Sequence, residues 1–189
     1  MTRTLATPPR FTGGAVVMGV SGCGKTTVGR ELAERVGALF VEGDDYHPAA
    51  NRTKLAGGIP LTDEDRWPWL AAIGAEFADA LGRGPVIGAC SALKRSYRDR
   101  LVESAGVPLA FICLHGSHDL IAQRLQARRG HFMAPTLLDS QIRTLEVPGA
   151  DEGAITLDIA DPVPDLVEKG LSFLLSTAQR EPNPSRSSV

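Results

Sequence analysis

The sequence predicts a three-layer α/β domain, a parallel β-sheet with helices on both faces. Two observations carry this. Short apolar runs alternate along the chain with segments of helical spacing, the pattern of successive βαβ units. The first apolar run leads straight into Gly19-Val20-Ser21-Gly22-Cys23-Gly24-Lys25-Thr26, a match to G-x-x-x-x-G-K-[ST] between a strand and a helix. Parallel strands need right-handed crossovers, which lay helices over both faces of the sheet.

The elements follow in order. Residues 1–13 read as a loose leader, 14–177 as a single domain, and 178–189, rich in Ser, Pro and Arg, as a disordered tail. Ala15–Val20 is the first strand and Lys25–Val36 the first helix. Ala38–Val41, Pro85–Ala89, Leu109–Leu114 and Ile155–Ile159 supply four further strands. A helix is expected over 67–81, where Pro68 suits a first turn and Trp69, Ile73, Phe77 and Leu81 recur every four residues. Another is expected over 117–129 with Ser117 as its cap, and another over 136–146 with Thr136 as its cap. Leu166–Leu175 closes the chain as an amphipathic helix.

Composition narrows the function classes. A chain of 189 residues, 43% of them hydrophobic, makes one domain with room for an inserted segment. Its 20 basic and 22 acidic side chains nearly cancel, which argues against a coat for nucleic acid or an anionic membrane. The three cysteines have no paired spacing, and the four histidines form no HExxH, so neither a disulfide framework nor a zinc site is indicated. No signal peptide and no membrane-length apolar run is visible, and the expectation is a cytoplasmic setting with no membrane partner.

The glycine-rich loop states its chemistry. Gly19, Gly22 and Gly24 let the backbone turn its N–H groups inward toward an anion, and the helix starting at Lys25 aims its positive end at the same point. Gly19, Val20, Ser21, Gly22, Cys23, Gly24, Lys25, Thr26 and Thr27 form the predicted ATP-binding segment. Lys25 should reach the β- and γ-phosphates and the Thr26 hydroxyl should ligate Mg²⁺; Cys23 serves as a small spacer. A switch GTPase would carry Asn-Lys-x-Asp, which is absent, and the third strand ends without the acid an AAA-type motor needs. A small kinase fits best.

Acceptor-side candidates lie beyond the strand ends, where sheets of this class gather function. Asp44, after the second strand, is placed to orient an acceptor hydroxyl, although a turn role is also open. The segment 44–84 carries His47, Lys54 and Arg66, the last suited to a bidentate carboxylate clamp. Asp63 or Asp65 is expected to cap the following helix. Ser91, Lys94 and Arg98 share a face if a helix starts at Ser91. The segment 117–146 reads as a lid, with Arg124 and Arg128 over the phosphates and His131 beyond them; a solvated stripe is the other reading.

Taken together, GVSGCGKT, Gly43-Asp44, His47-Pro48, Asn51-x-x-Lys54, Gly58-x-Pro60-Leu61, Asp63-x-Asp65-Arg66, Pro68-Trp69-Leu70, Cys90-Ser91-Ala92-Leu93-Lys94, Tyr97-Arg98-Asp99, Gly130-His131-Phe132-Met133, Ser140-Gln141, Thr144-Leu145-Glu146 and Asp151-Glu152 resemble the gluconokinase family over about residues 15–175. Cys23, Asp45-Tyr46 and Arg52 depart from the family's usual residues. The resemblance implies a P-loop kinase fold with strand order 2-3-1-4-5, phosphorylation of D-gluconate on its 6-hydroxyl by ATP with Mg²⁺, and a homodimer. Catalytic roles are expected for Lys25, Asp44, Arg124 and Arg128. Gluconate contacts are expected from Asp44, His47, Lys54, Arg66, Ser91, Lys94, Arg98 and His131. Two other readings stay open: another small-molecule kinase, such as a shikimate kinase, and a nucleotide-binding regulatory module without phosphoryl transfer.

Overall fold

Gly14–Met18 form β1, and all of its residues are buried. They need no polar face because the strand lies mid-sheet, between β3 (Val86–Ala89) and β4 (Leu109–His115). The computed structural model describes residues 10–127 and 135–177. Its sheet has five parallel strands in the order β2-β3-β1-β4-β5, with β2 at Leu39–Glu42 and β5 at Ala154–Asp158. In register, Val17 pairs with Ala89 on one side and Ile112 on the other. The expected fold class and strand order are therefore the observed ones.

Helices cover both faces. α1 (Lys25–Val36) packs on α7 (Val163–Thr177), and α3 (Asp63–Leu81) packs on α4 (Arg95–Ala105) across the sheet. The core between them holds Val16, Val17, Leu32, Trp69, Ile73, Phe77, Ile87, Leu101 and Ile112, each 1% exposed or less. At about 25 cal/mol per Å² of apolar surface, this burial is the main force holding the layers together. α2 (Ala49–Ala56) follows a 3₁₀ turn at Gly43–Tyr46. α5 (His118–Ala127) and α6 (Pro135–Thr144) lie in the segment expected to form a lid.

Of the boundaries that differ from expectation, three helix starts bear on the site. α3 begins at Asp63, a turn before 67, because Thr62 caps it: the Thr62 hydroxyl accepts from the Asp65 amide, and the Asp65 carboxylate accepts from the Thr62 amide. Asp65 thus completes the cap that either Asp63 or Asp65 was expected to supply, and Pro68 sits inside the helix. α4 begins at Arg95 and not at Ser91, because Ala92 has φ +42°, a left-handed value that no helix continues through. Ser91, Lys94 and Arg98 therefore do not share a helix face. α6 begins at Pro135, ahead of the expected Thr136 cap.

Candidate active site

The site is built where three strand ends meet. β1 runs into the glycine-rich loop, with Gly19 at φ +131°, Gly22 at +86° and Gly24 at +102°, values L side chains rarely adopt. Gly24 then serves as N-cap of α1, so the free N–H groups of the first helical turn face the loop. Lys25 folds back, its Nζ donating to the Val20 carbonyl at 3.1 Å. The Gly19 amide donates to the Ser91 carbonyl at 3.2 Å, tying the loop to the segment after β3.

A cleft of about 410 Å³ opens over this junction, within the usual range of small-molecule sites, about 300–1,000 Å³. From the loop it is lined by Ser21, Gly22, Gly24, Lys25 and Thr26; beyond β2 and β3, by Asp44, His47, Arg66 and Ser91. These are the residues the sequence assigned to nucleotide and acceptor, and the structure brings them together. The wall is completed by Arg52, Leu55 and Ala56 of α2, Leu61, Leu125 of α5, and Leu137 and Gln141 of α6. Lys25, Arg52 and Arg66 against the single carboxylate of Asp44 make the cleft cationic, suited to anionic ligands.

The acceptor side is held from beneath. Trp69 donates its indole N–H to the Gly43 carbonyl at 2.8 Å, and the His47 ring stacks on Trp69 at 4.0 Å between centroids. Asn51 donates to the Asp65 carbonyl at 2.8 Å, which fixes its amide nitrogen 3.5 Å from His47 Nδ1. His47 Nδ1 is then the acceptor, and Nε2 carries the proton toward Asp44 Oδ1, 3.9 Å away. Burial pushes His47 below the ordinary histidine range, against the pull of Asp44. Arg66 is 8% exposed, and its Nε is buried with no hydrogen-bond partner among the described residues. Asp63, whose carboxylate feels the Arg66 charge, is taken by Lys94 at 2.8 Å and by the Tyr97 hydroxyl.

Four predicted residues are committed elsewhere. Lys54 pairs with Asp65 at 2.6 Å, and Lys94 with Asp63. Arg98 was expected on the acceptor. It is instead 2% exposed and bound twice to Glu152, at 2.6 and 3.1 Å, and to the carbonyls of Ala92, Leu93 and Glu146. Its guanidinium pins the left-handed Ala92 turn that presents Ser91 to the cleft. Arg124 donates to the Ile159 carbonyl at 2.6 Å and does not line the cleft. Arg128 and His131 lie outside the described residues.

Sequence reasoning missed three residues. Glu42, at the end of β2, lies beside the Thr26 hydroxyl; burial pushes its pKa up, and Thr26 pulls it back. Arg52 donates to the His47 carbonyl and lines the cleft. Gln141 accepts from the Ser21 amide at 2.7 Å. The strand-end position of Glu42 and the Ser140-Gln141 motif were the available signals; tertiary contacts give Arg52 and Gln141 their roles. The cysteines carry no reactive thiol: all three are free and buried, and burial raises Cys90 to about 12 and Cys113 to about 11.

Thr26 and Glu42 offer oxygen ligands of the kind a hard dication takes. Among the described residues no cluster of three or more His, Cys, Asp or Glu could hold a metal ion. That donor set fits a magnesium ion carried mainly by phosphate and water, and not a metal caged by protein.

The sheet order, the phosphate loop and the adjoining acceptor cleft define a P-loop small-molecule kinase. Residues 15–148 match a family model described as an AAA domain. The gluconokinase of Gluconobacter oxydans is 50% identical over 84% of this chain and 87% of that protein. The thermoresistant gluconokinase of Escherichia coli is 46% identical over 84% of this chain and 91% of that one. A crystal structure of a gluconokinase from Sinorhizobium meliloti superposes with a TM-score of 0.82 at 51% identity, covering 90% of this chain and 95% of the other. The chain belongs to the gluconokinase family. A shikimate kinase from Aquifex aeolicus, at 13% identity and a TM-score of 0.51, shares the fold alone.

Proposed function

We propose that the protein phosphorylates D-gluconate on its 6-hydroxyl with ATP, giving 6-phosphogluconate and ADP. The observation that carries this reading is the Arg66 Nε, without a partner among the described residues, in a cleft shared with the phosphate loop and Asp44. A buried cation without a carboxylate is costly, and the carboxylate of an aldonic acid supplies what it lacks. Membership in the gluconokinase family names the acid.

The chain's own groups divide the work. The loop amides and Lys25 hold the triphosphate, and Thr26 with Glu42 fits the magnesium ion, which neutralises charge on the phosphate oxygens when bound. Asp44 accepts the proton of the 6-hydroxyl as that oxygen bonds to the γ-phosphorus and the bond to the β–γ bridging oxygen breaks. His47, held by Trp69 and Asn51, stands 3.9 Å from Asp44 with its Nε2 facing the carboxylate. Arg66 fixes the far end of the acid, with Arg52 and Ser91 beside it. Arg124, beside the loop, and Arg128 are proposed to follow the phosphates when the lid closes. A homodimer and a cytoplasmic location belong to the same proposal; among the described residues no helix is long and apolar enough to cross a membrane.

The test is ADP release with a panel of gluconate, other sugar acids and shikimate. Gluconate should give by far the highest kcat/KM. Turnover of shikimate in its place would reassign the acceptor, and tight ATP binding without turnover on any acceptor would favour a regulatory module. Asp44→Asn should lower kcat by about 10²–10⁴-fold, and near-normal kcat would remove Asp44 from the chemistry.

A further inference from the structure

One amide of the phosphate loop is already occupied. The Ser21 N–H, which such a loop turns toward phosphate oxygens, donates at 2.7 Å to Oε1 of Gln141, a side chain reaching in from α6. Ser21 and Gln141 line the same cleft as Asp44 and Arg66. Ser21 lies on the acceptor side of the loop, two residues from Gly19, whose amide is bonded to the Ser91 carbonyl. A carboxamide oxygen thus sits on a donor that a loop of this kind offers to a phosphate.

Gln141 sits on a helix tied down at its C-terminal end. Beyond α6, Glu146 donates its amide to the Leu93 carbonyl at 2.8 Å, and its carboxylate accepts from the Arg95 amide at 2.7 Å. Its carbonyl accepts from the buried Arg98. The base of α6 is thus fastened to the acceptor segment. On the same crest of the loop α5 contributes Leu125, which a Cβ at Gly22 would meet at 2.6 Å.

Resting on the kinase reading above, we propose that Gln141 is a contact for the transferred phosphoryl group. It guards the Ser21 amide while the loop is empty. When a triphosphate enters, a γ-phosphoryl oxygen takes the Ser21 N–H, and the carboxamide turns so that its NH₂ donates to the same group. A neutral side chain that both accepts and donates suits this exchange; a carboxylate would hold the amide and repel the phosphate.

Two variants of near-equal size test it, each checked for an unchanged melting temperature. Gln141→Met removes the amide and keeps the bulk; kcat should fall about a hundredfold, as for loss of one transition-state donor, with gluconate KM unchanged. Gln141→Glu should weaken a β,γ-imido ATP analogue about tenfold or more while ADP binding stays near the parent's, since the added charge faces only the third phosphate. Titration of the two nucleotides needs no acceptor, so the result stands even if the acceptor is another acid. Parental kcat in Gln141→Met, or equal weakening of both nucleotides in Gln141→Glu, would overturn the proposal.

Discussion

Arg66 enters the cleft as a buried guanidinium with a free Nε among the described residues, so its removal should cost binding and not stability. Arg66→Ala is expected to raise gluconate KM by about tenfold to a hundredfold, the worth of a charged hydrogen-bonded pair at about 1.5–3 kcal/mol. KM for ATP should hold, and an unchanged gluconate KM would exclude Arg66 as the clamp. Arg98 is the opposite case, an arginine spent on structure. Arg98→Met leaves Glu152, itself 9% exposed, without its partner, and should cost about 3–5 kcal/mol in a denaturant titration. Pairing it with Glu152→Met should recover most of that loss; no recovery would mean that the Ala92 and Glu146 carbonyls matter more than the ion pair. Composition alone could not separate these arginines. Both sit among motif residues, and only the tertiary position of Glu152 decides which one is free for a ligand.

α5 and α6 are joined at their base by His118, whose Nε2 lies 2.9 Å from Asp139 Oδ1 and whose Nδ1 lies 3.5 Å from Asp119. Asp139, and then Asp119, raise the His118 pKa above the ordinary histidine value. A raised folded value means the clip is fully present below about pH 6.5 and is lost as pH rises through the folded pKa. His118 should titrate above a model histidine by NMR, and Asp139→Asn should bring it down. A normal titration in both proteins would show that the clip does not form in solution. At this scale the strands and α1 were legible, because their signals are local: apolar runs and a glycine-rich loop. α2 was not, since Ala49–Ala56 has no apolar stripe and buries only Asn51. The start of α4 was hidden because nothing in Ser91-Ala92-Leu93 announces a left-handed alanine, which Arg98 holds from a distance.

For the whole molecule, ligands should act as staples. The cleft joins the loop after β1, the segments after β2 and β3, and both α5 and α6, so an occupant ties together parts far apart in sequence. ATP with magnesium at about a hundred times Kd should stabilise the fold by about 2.7 kcal/mol. Lys25→Ala should melt near the unliganded parent and lose that shift, and a retained shift would mean that Lys25 is not needed for binding. Architecture at this scale was readable from the alternation of strands and helices. The cleft's inner wall was not, because Arg52 and Gln141 reach it from helices whose packing no local pattern encodes.

The central place of β1 also governs how the chain emerges from the ribosome. Its partners are β3 and β4, so the first strand to be synthesised has no neighbour until Ala89 has left the exit tunnel. Until then β1 and β2 cannot pair, since β3 lies between them, and both edges of β1 stay open although α1 can already pack on one face. Such long-range closure is slow and leaves apolar surface open to aggregation. The nascent protein therefore carries an unpaired hydrophobic strand while residues 19–89 are made, and chaperone demand should fall sharply once β3 is out.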